Sequence, residues 1–348
     1  MSTKDERPIV KIQVYTDVSL FETLKPEWNR LLVNSGDNHI FLTWEWQSTW
    51  WRNFHPGDLY VITFRDDDGA LIGIAPHFIH DLPRHGRTLR FVGCVEVTDY
   101  LGVIARQDRE REVFTALADY LTGEGFDDWD RIDQCNIREQ SPTLAHLPAL
   151  LEARGLSVQV KFEDVCPVIA LPDTWEAYLD MLDGKQRREV RRKMRRAEAQ
   201  GVTWRIVGPD DDLDAEMTSF LRLMAASTPD KARFLELPGN RDFFCDIARV
   251  LMEAGWLQLI FLDVDGTPVA TYLNFDYNNR VQVYNSGLDP SQYLQLSPGW
   301  VLLGYAIQHA IAQGRSEFDF LQGDEDYKYR MGGKDTKVWM LMADKRPA

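Results

Sequence analysis

Leu257-Gln258-Leu259-Ile260-Phe261-Leu262-Asp263-Val264-Asp265-Gly266, continued by Thr267 to Asp276, reads as a strand, a tight turn and a second strand. An Asp-Gly pair between apolar runs supplies the positive φ angles that a short hairpin needs. Roughly 190 residues earlier, Leu59 to Ile79 repeats the pattern around Asp68-Gly69. Both hairpins follow helical segments. The first is followed by a β-rich stretch (Leu89 to Ile104), a helix (about Arg109 to Leu121) and a strand (Asp130 to Ile137). The second is followed by a strand (Arg280 to Gly287), a helix (about Pro298 to Gln313) and a strand (Glu317 to Leu321). A succession that recurs in full is the mark of a duplicated unit. It predicts an α/β fold of the α+β, mixed-sheet kind, with two modules of one type at 1–155 and 156–348.

Between the modules, Ser141 to Gly155 reads as a helix and Leu156 to Leu171 as extended chain. Asp173 or Thr174 then serves as N-cap of a long helix, 174–200, that stops at Gly201. Its apolar positions thin out after Leu182, so Trp175, Tyr178, Leu179 and Leu182 pack while the later turns form a basic surface anchored by Val190 and Met194.

The composition belongs to a folded globular chain: 348 residues, 44% hydrophobic and 27% charged. The length exceeds what one hydrophobic core usually organises, in line with two modules. The apolar runs Trp256 to Leu262 and Trp300 to Ile307 are too short to span a bilayer. Met1 to Pro8 lacks the apolar stretch of a secretory signal, so a cytoplasmic location is expected. The cysteines at 94, 135, 166 and 245 show no CxxC spacing and are expected to be reduced core residues.

The formal charge of −15 disfavours nucleic acid and anionic lipid, yet basic residues are locally dense. Between Lys185 and Glu198 eight basic side chains face only two acidic ones, a local charge of +6 against −21 for the rest. A solvated face, a site for a phosphate-bearing substrate or acidic partner, and a nucleic-acid patch are the three readings of that segment. No zinc-finger, RNP or helix-turn-helix pattern accompanies it, which leaves a local phosphate or RNA-end contact, with Arg188 as its first candidate.

Three other constellations stand out. Gln295-Leu296-Ser297-Pro298-Gly299-Trp300 precedes an apolar helix, with Ser297 as cap and Pro298 in the first turn. Gly299 leaves backbone N–H groups bare for an anion such as a diphosphate. The plain alternative is a well-made helix start. Phe318 to Arg330 is a strand that runs into a polar loop, where Lys328 and Arg330 can hold an anion, Asp319 or Asp324 can take a proton and Tyr327 can return one. Its plain alternative is a solvated turn. Finally, Phe41, Trp44, Trp46, Trp50, Trp51 and Phe54 form two aromatic stripes on one helix. Trp46, Trp50 and Phe54 share one stripe and Trp44 and Trp51 the other; core packing is the plain reading, and the alternative is a cleft where a sugar or base stacks, with Trp44 and Trp46 as its candidates. His77, His80 and His85 lack carboxylates at ligand spacing, so no metal is expected. GxSxG, Walker, HExxH and GxGxxG motifs are all missing.

The run from Trp300 through Phe318-Asp319-Phe320 to Gly323-Asp324-Glu325 and Tyr327-Lys328-Tyr329-Arg330 resembles the C-terminal signature of GNAT-type acetyltransferases of the cellulose-biosynthesis CelD group. These are similar to the Fem peptidoglycan aminoacyltransferases. Phe41-Leu42-Thr43-Trp44-Glu45-Trp46 and the helix from Trp175 to Arg188 sit where that group has its N-terminal motif and arginine-rich helix. The resemblance implies two tandem GNAT-like acyltransferase modules. It also implies transfer of an acyl group from acetyl-CoA or another acyl-CoA, or else from aminoacyl-tRNA, to an amine or hydroxyl. The acceptor would be a small or cell-envelope molecule, of polysaccharide or nucleotide-sugar type and anionic. Gln295, Ser297 and Gly299 fall in the place of the pyrophosphate loop. Asp319 or Asp324 then acts as base, Tyr327 as acid, and Lys328 and Arg330 orient the acceptor. A catalytically silent GNAT-like binding protein of a polysaccharide system is the alternative from another class.

Overall fold

The structure, a computed structural model, describes residues 10–94, 97–291 and 293–345. It forms two compact units, Met1–Asp164 with Lys337–Ala348, and Val165–Thr336.

The first unit contains β1 (Lys11–Tyr15), α1 (Leu20–Val33), α2 (Trp44–Phe54), β2 (Asp58–Arg65), β3 (Leu71–Leu82), β4 (Gly86–Phe91), β5 (Ile104–Ala105), α3 (Glu110–Thr122), β6 (Arg131–Arg138) and α4 (Pro142–Glu152). The boundary at 164/165 falls within β7 (Ser157–Ala170). The second unit contains α5 (Trp175–Met181), α6 (Gly184–Glu198), β8 (Thr203–Ile206), α7 (Leu213–Ser227), α8 (Pro229–Glu236), α9 (Asn240–Glu253), β9 (Leu257–Val264), β10 (Thr267–Tyr277), β11 (Arg280–Leu288), α10 (Pro298–Ala312), β12 (Glu317–Asp319) and α11 (Asp326–Arg330). Last comes β13 (Lys334–Asp344), whose stretch from Val338 to Asp344 pairs with β6 and so belongs to the first unit.

Strand order repeats between the units. In the first it is β1-β2-β3-β4-β6-β13, antiparallel throughout except where β4 meets β6 in parallel. In the second it is β8-β9-β10-β11-β12-β7, again with one parallel pair, β11 and β12. A parallel neighbour requires a crossover, supplied by α3 in one unit and α10 in the other. The duplicated strand-and-helix order read from the sequence is therefore present as duplicated topology.

Local chemistry explains the turns. Asp265 and Gly266 both take positive φ, 50° and 74°, and close the β9–β10 hairpin in two residues. In the first unit only Gly69 does so, and the turn is wider, closed by the Asp66 amide on the Ala70 carbonyl at 3.0 Å. The long helix expected over 174–200 is two helices. Asp183 interrupts it by accepting the Lys185 and Gln186 amides at 2.8 and 2.9 Å, a cap that starts α6 afresh. Of α6, only Val190, Met194 and Ala197 are buried.

In the second unit α10 is apolar on nearly every side, burying Val301, Leu302, Leu303, Ala306, Ile307 and Ala310. It packs against β9, β10 and β11 and against α6, where Gly304 faces the Met194 sulfur. The opposite face of β11 meets α7 so closely that a Cβ on Gly287 would stand 2.5 Å from the Met224 amide nitrogen. Glycine is required there by space. Cys94 and Cys135 form a disulfide with Cα atoms 6.0 Å apart, which corrects the expectation of four reduced cysteines. Cys166, buried, and Cys245, half-buried, lie outside that bridge. Among the described residues no helix is long and apolar enough to cross a membrane.

Candidate active site

The parallel pairing of β11 and β12 lasts three residues, Arg280–Gln282 against Glu317–Asp319, and then the strands part. Just beyond, β11 bulges: Asn274 faces Val283 and Leu273 faces Asn285, so Tyr284 is the extra residue. The Asp289 amide donates to Val269 of β10 at 3.3 Å, and alternation along the strand turns Ser286 and Leu288 to the other, unpaired edge. Side chains meet that edge. The Ser286 amide donates to Asn285 Oδ1 at 3.0 Å, and the Ser286 carbonyl accepts from Lys231 Nζ at 2.5 Å. The Leu288 amide donates to Ser227 Oγ at 2.8 Å.

Beside this opening lies the start of α10. Ser297 precedes it in the left-handed region, φ 53°, and its side chain makes no cap. The expected capping role is therefore corrected: the left-handed backbone carries the hydroxyl away from the N–H groups it was to accept. The first intrahelical bond is Val301 N–H to Ser297 at 3.0 Å, so the Gly299 and Trp300 amides precede the helical ladder and have no side-chain cap. Gly299 is held through its carbonyl by the Tyr272 hydroxyl at 3.2 Å. Trp300 lies between two cations, Lys193 Nζ at 4.5 Å and Arg330 Cζ at 4.8 Å from its ring centre. Gln295 is exposed on the preceding turn. The matching helix start in the first unit, at α3, instead carries Glu110 and Glu112, which disfavours an anion there.

The loop after β12 is built around a lysine. Lys328 is 2% exposed, and its Nζ donates to the carbonyls of Leu321, Gln322 and Gly323 at 3.3, 2.6 and 3.1 Å while pairing with Glu325 at 2.8 Å. All its donors serve the loop, so it is not available to orient an acceptor, as the sequence had suggested. Asp319 is also buried and accepts the Leu321 amide at 2.8 Å, which removes it as a solvent-reachable base. Asp324 is exposed. Tyr327 is half-buried with its ring edge-on to Phe320. Burial first, then the nearby Tyr272 and Glu325, raise its hydroxyl pKa above the ordinary phenol value, so it stays protonated. Arg330 reaches Asp326 at 3.5 Å and Gln186 at 3.4 Å.

Arg188 lies elsewhere on α6. With Arg191, Arg192 and Arg195 it lines a groove of about 650 Å³ that Trp175, Met194, Glu198 and Gln308 also border. Arg191 pairs with Glu176 and Arg192 with Glu189, whereas Arg188 and Arg195 have no carboxylate partner among the described residues. Trp44 and Trp46 are not at a site at all. Both are core residues of the first unit: Trp46 is fully buried and donates to Thr98 Oγ1 at 3.1 Å, and Trp44 donates to the Phe21 carbonyl at 2.7 Å under Lys25. Buried indoles bonded this way leave no face for a substrate. The first unit does have a cleft of about 880 Å³, but Trp51, His55, Tyr60 and Asp128 line it instead. Among the described residues no group of three or more His, Cys, Asp or Glu is placed to hold a metal ion. Lys231, Ser286, Asn285 and Tyr272 went unnoticed in the sequence because no spacing links them.

Residues 184–329 match the family model described as acetyltransferase (GNAT) domain. The matched residues lie within the second unit. The whole chain shares its fold with FemX, at 13% identity and a TM-score of 0.66, over 95% of this chain and 96% of that one. L-PGS from Bacillus licheniformis is similar over 93% and 92%, at 13% identity and a TM-score of 0.57. A conserved protein of unknown function from Bacteroides thetaiotaomicron VPI-5482 is similar over 96% and 100%, at 11% identity and 0.59. No curated protein matches in sequence. At such identities the structural likeness is one of fold: two tandem GNAT-like modules, of which the second holds the matched domain.

Proposed function

We propose that the chain moves an acyl group from an acyl-CoA, acetyl-CoA in the simplest case, to an amine or hydroxyl of a cell-envelope, polysaccharide or nucleotide-sugar-related acceptor. The observation that carries this reading is the uncapped start of α10 beside the parting strands β11 and β12. The Gly299 and Trp300 amides suit the diphosphate of the donor, with Ser297 and Gln295 on the approach and Lys193 and Arg330 adding positive charge around Trp300. A thioester supplies an activated acyl carbon, and the chain's work is to hold it near the acceptor, which is where most of the acceleration arises. Tyr327, kept protonated, is suited to return a proton to the departing thiolate. Asp324 stands at the mouth as a candidate proton acceptor.

Calorimetry with acetyl-CoA tests the reading: the intact chain binds, and a bulky side chain at Gly299 abolishes binding. Binding that survives Gly299→Trp unchanged would count against it. A second reading, an aminoacyl-tRNA donor, is favoured by the groove that Arg188 and Arg195 line. Strongly salt-dependent tRNA binding, without acetyl-CoA binding, supports it. A CelD-type role in polysaccharide synthesis belongs with the first reading.

A further inference from the structure

Lys231 stands in the first turn of α8, 55 residues before Ser286, yet its side chain ends at the parting of β11 and β12. Nζ donates to the Ser286 carbonyl at 2.5 Å and to Ser286 Oγ at 3.1 Å. Ser286 lies four positions beyond the last residue of β11 paired with β12, on the unpaired edge. The same residue faces Tyr272 across β10, and the Tyr272 hydroxyl binds Gly299. One short chain of contacts therefore joins Lys231 to the diphosphate end of the candidate site. From the other side the loop after β12 brings the charge of Glu325, itself paired with Lys328.

We infer that Lys231 is the general base of acyl transfer, its amine tethered to Ser286 at the open edge of β11 and accepting the proton of the incoming amine or hydroxyl. The inference rests on the acyl-CoA reading above. Burial lowers the Lys231 pKa to about 8, with Glu325 opposing, so the neutral amine is populated near neutral pH. A neutral amine has two N–H donors and one lone pair. Ser286 takes both donors, and the lone pair is left for a proton. In the step, the acceptor's N–H or O–H bond breaks and its proton goes to Lys231 Nζ. The freed electron pair bonds the acyl carbon, the C–S bond breaks, and the thiolate takes a proton from Tyr327. Tyr327 is then restored by the Lys231 ammonium through solvent. Glu325 stabilises the ammonium while it lasts. Asp319, buried on the Leu321 amide, is not placed for this part.

The test uses the full chain with acetyl-CoA as probe and reads both free thiol release and binding. Thiol release rises with pH through a midpoint near 8 and levels off above it. Lys231→Met and Lys231→Arg each lower it by about 10²- to 10⁴-fold and remove that inflection, with the acetyl-CoA Kd unchanged. In parallel, competitive labelling of the unaltered chain by acetic anhydride, read by peptide mass spectrometry, shows Lys231 reacting at lower pH than the exposed lysines and protected by coenzyme A. An unchanged pH profile in Lys231→Met, or a labelling curve like that of exposed Lys185, overturns the inference. Failure of the unaltered chain to bind acetyl-CoA counts against the acyl-CoA reading instead, and binding without any dependence on Lys231 counts against the base alone.

Discussion

The Tyr272 hydroxyl donates to the Gly299 carbonyl at 3.2 Å and so ties the middle of β10 to the first turn of α10. A helix start used as an anion site must be held still, and this bond comes from the strand beside β11 that carries the bulge. Tyr272→Phe keeps the ring and removes the donor. Unfolding in urea should show a loss of about 0.5–1.5 kcal/mol, and acetyl-CoA affinity should fall several-fold. Unaltered affinity would show that the first turn does not depend on the tie.

Gly299 separates recognition by backbone from recognition by side chain. A Cβ there meets Leu288 Cδ2 at 3.4 Å and the Tyr272 oxygen at 3.9 Å, ordinary contacts. Gly299→Ala should leave acetyl-CoA binding within about threefold and stabilise the helix by up to ~1 kcal/mol. Gly299→Asp sets a carboxylate among the same amides and should weaken binding tenfold or more, since two like charges about 4 Å apart repel by ~1–4 kcal/mol. Equal affinities for the two variants in a titration would place the diphosphate elsewhere.

Lys328 holds three carbonyls of the loop after β12, and its removal orphans them. Lys328→Met should destabilise the chain by about 1–3 kcal/mol or more, measured by denaturant unfolding. A fully stable variant that merely binds acceptor less well would restore the acceptor-orienting role read from the sequence.

His77 should make the stability of the first unit fall in acid. It is fully buried between the Phe91 ring and Gln134 Nε2 at 2.8 Å, and burial lowers its pKa from 6.5 to about 3. The unfolded chain then binds a proton that the folded chain refuses. Stability is full above pH 6.5 and falls as the pH drops from there towards 3, by up to ~1.4 kcal/mol per pH unit. His77→Gln should flatten that part of a stability-against-pH curve, and an unaltered slope would refute the assignment.

Among the described residues Arg188 and Arg195 have no carboxylate partner, which makes them the arginines of the groove best suited to meet phosphate. Replacing either by Ala should change stability by less than about 0.5 kcal/mol. Each should lower the salt dependence of tRNA binding by ~0.7 in the log–log slope if single-stranded RNA enters the groove. Arg191→Ala and Arg192→Ala, whose guanidiniums are paired with Glu176 and Glu189, should do less.

The duplicated topology was legible because hairpins and amphipathic helices are local devices: Asp265-Gly266 turns the chain wherever it stands, and the apolar face of residues 301–311 demands burial. The start of α10 was legible for the same reason. The aromatic run around Trp44 and Trp46 misled, since sequence counts indoles without saying which way they face. Lys328 and Arg330, two residues apart, looked alike; only the curl of the loop puts one inside it and the other on Trp300. The Cys94–Cys135 disulfide arises because β6 brings the second cysteine near the end of β4, across a separation no spacing rule covers.

By itself the sequence determined the repeated strand and helix order and the basic face of α6, both set by interactions between near neighbours. The tertiary structure decided which polar groups are free to act. Lys231 meets Ser286 across 55 residues, and Lys328 turns inward. Whether a side chain keeps its proton or its partner depends on burial and on groups distant in the chain, and those are fixed only when the strands close into a sheet.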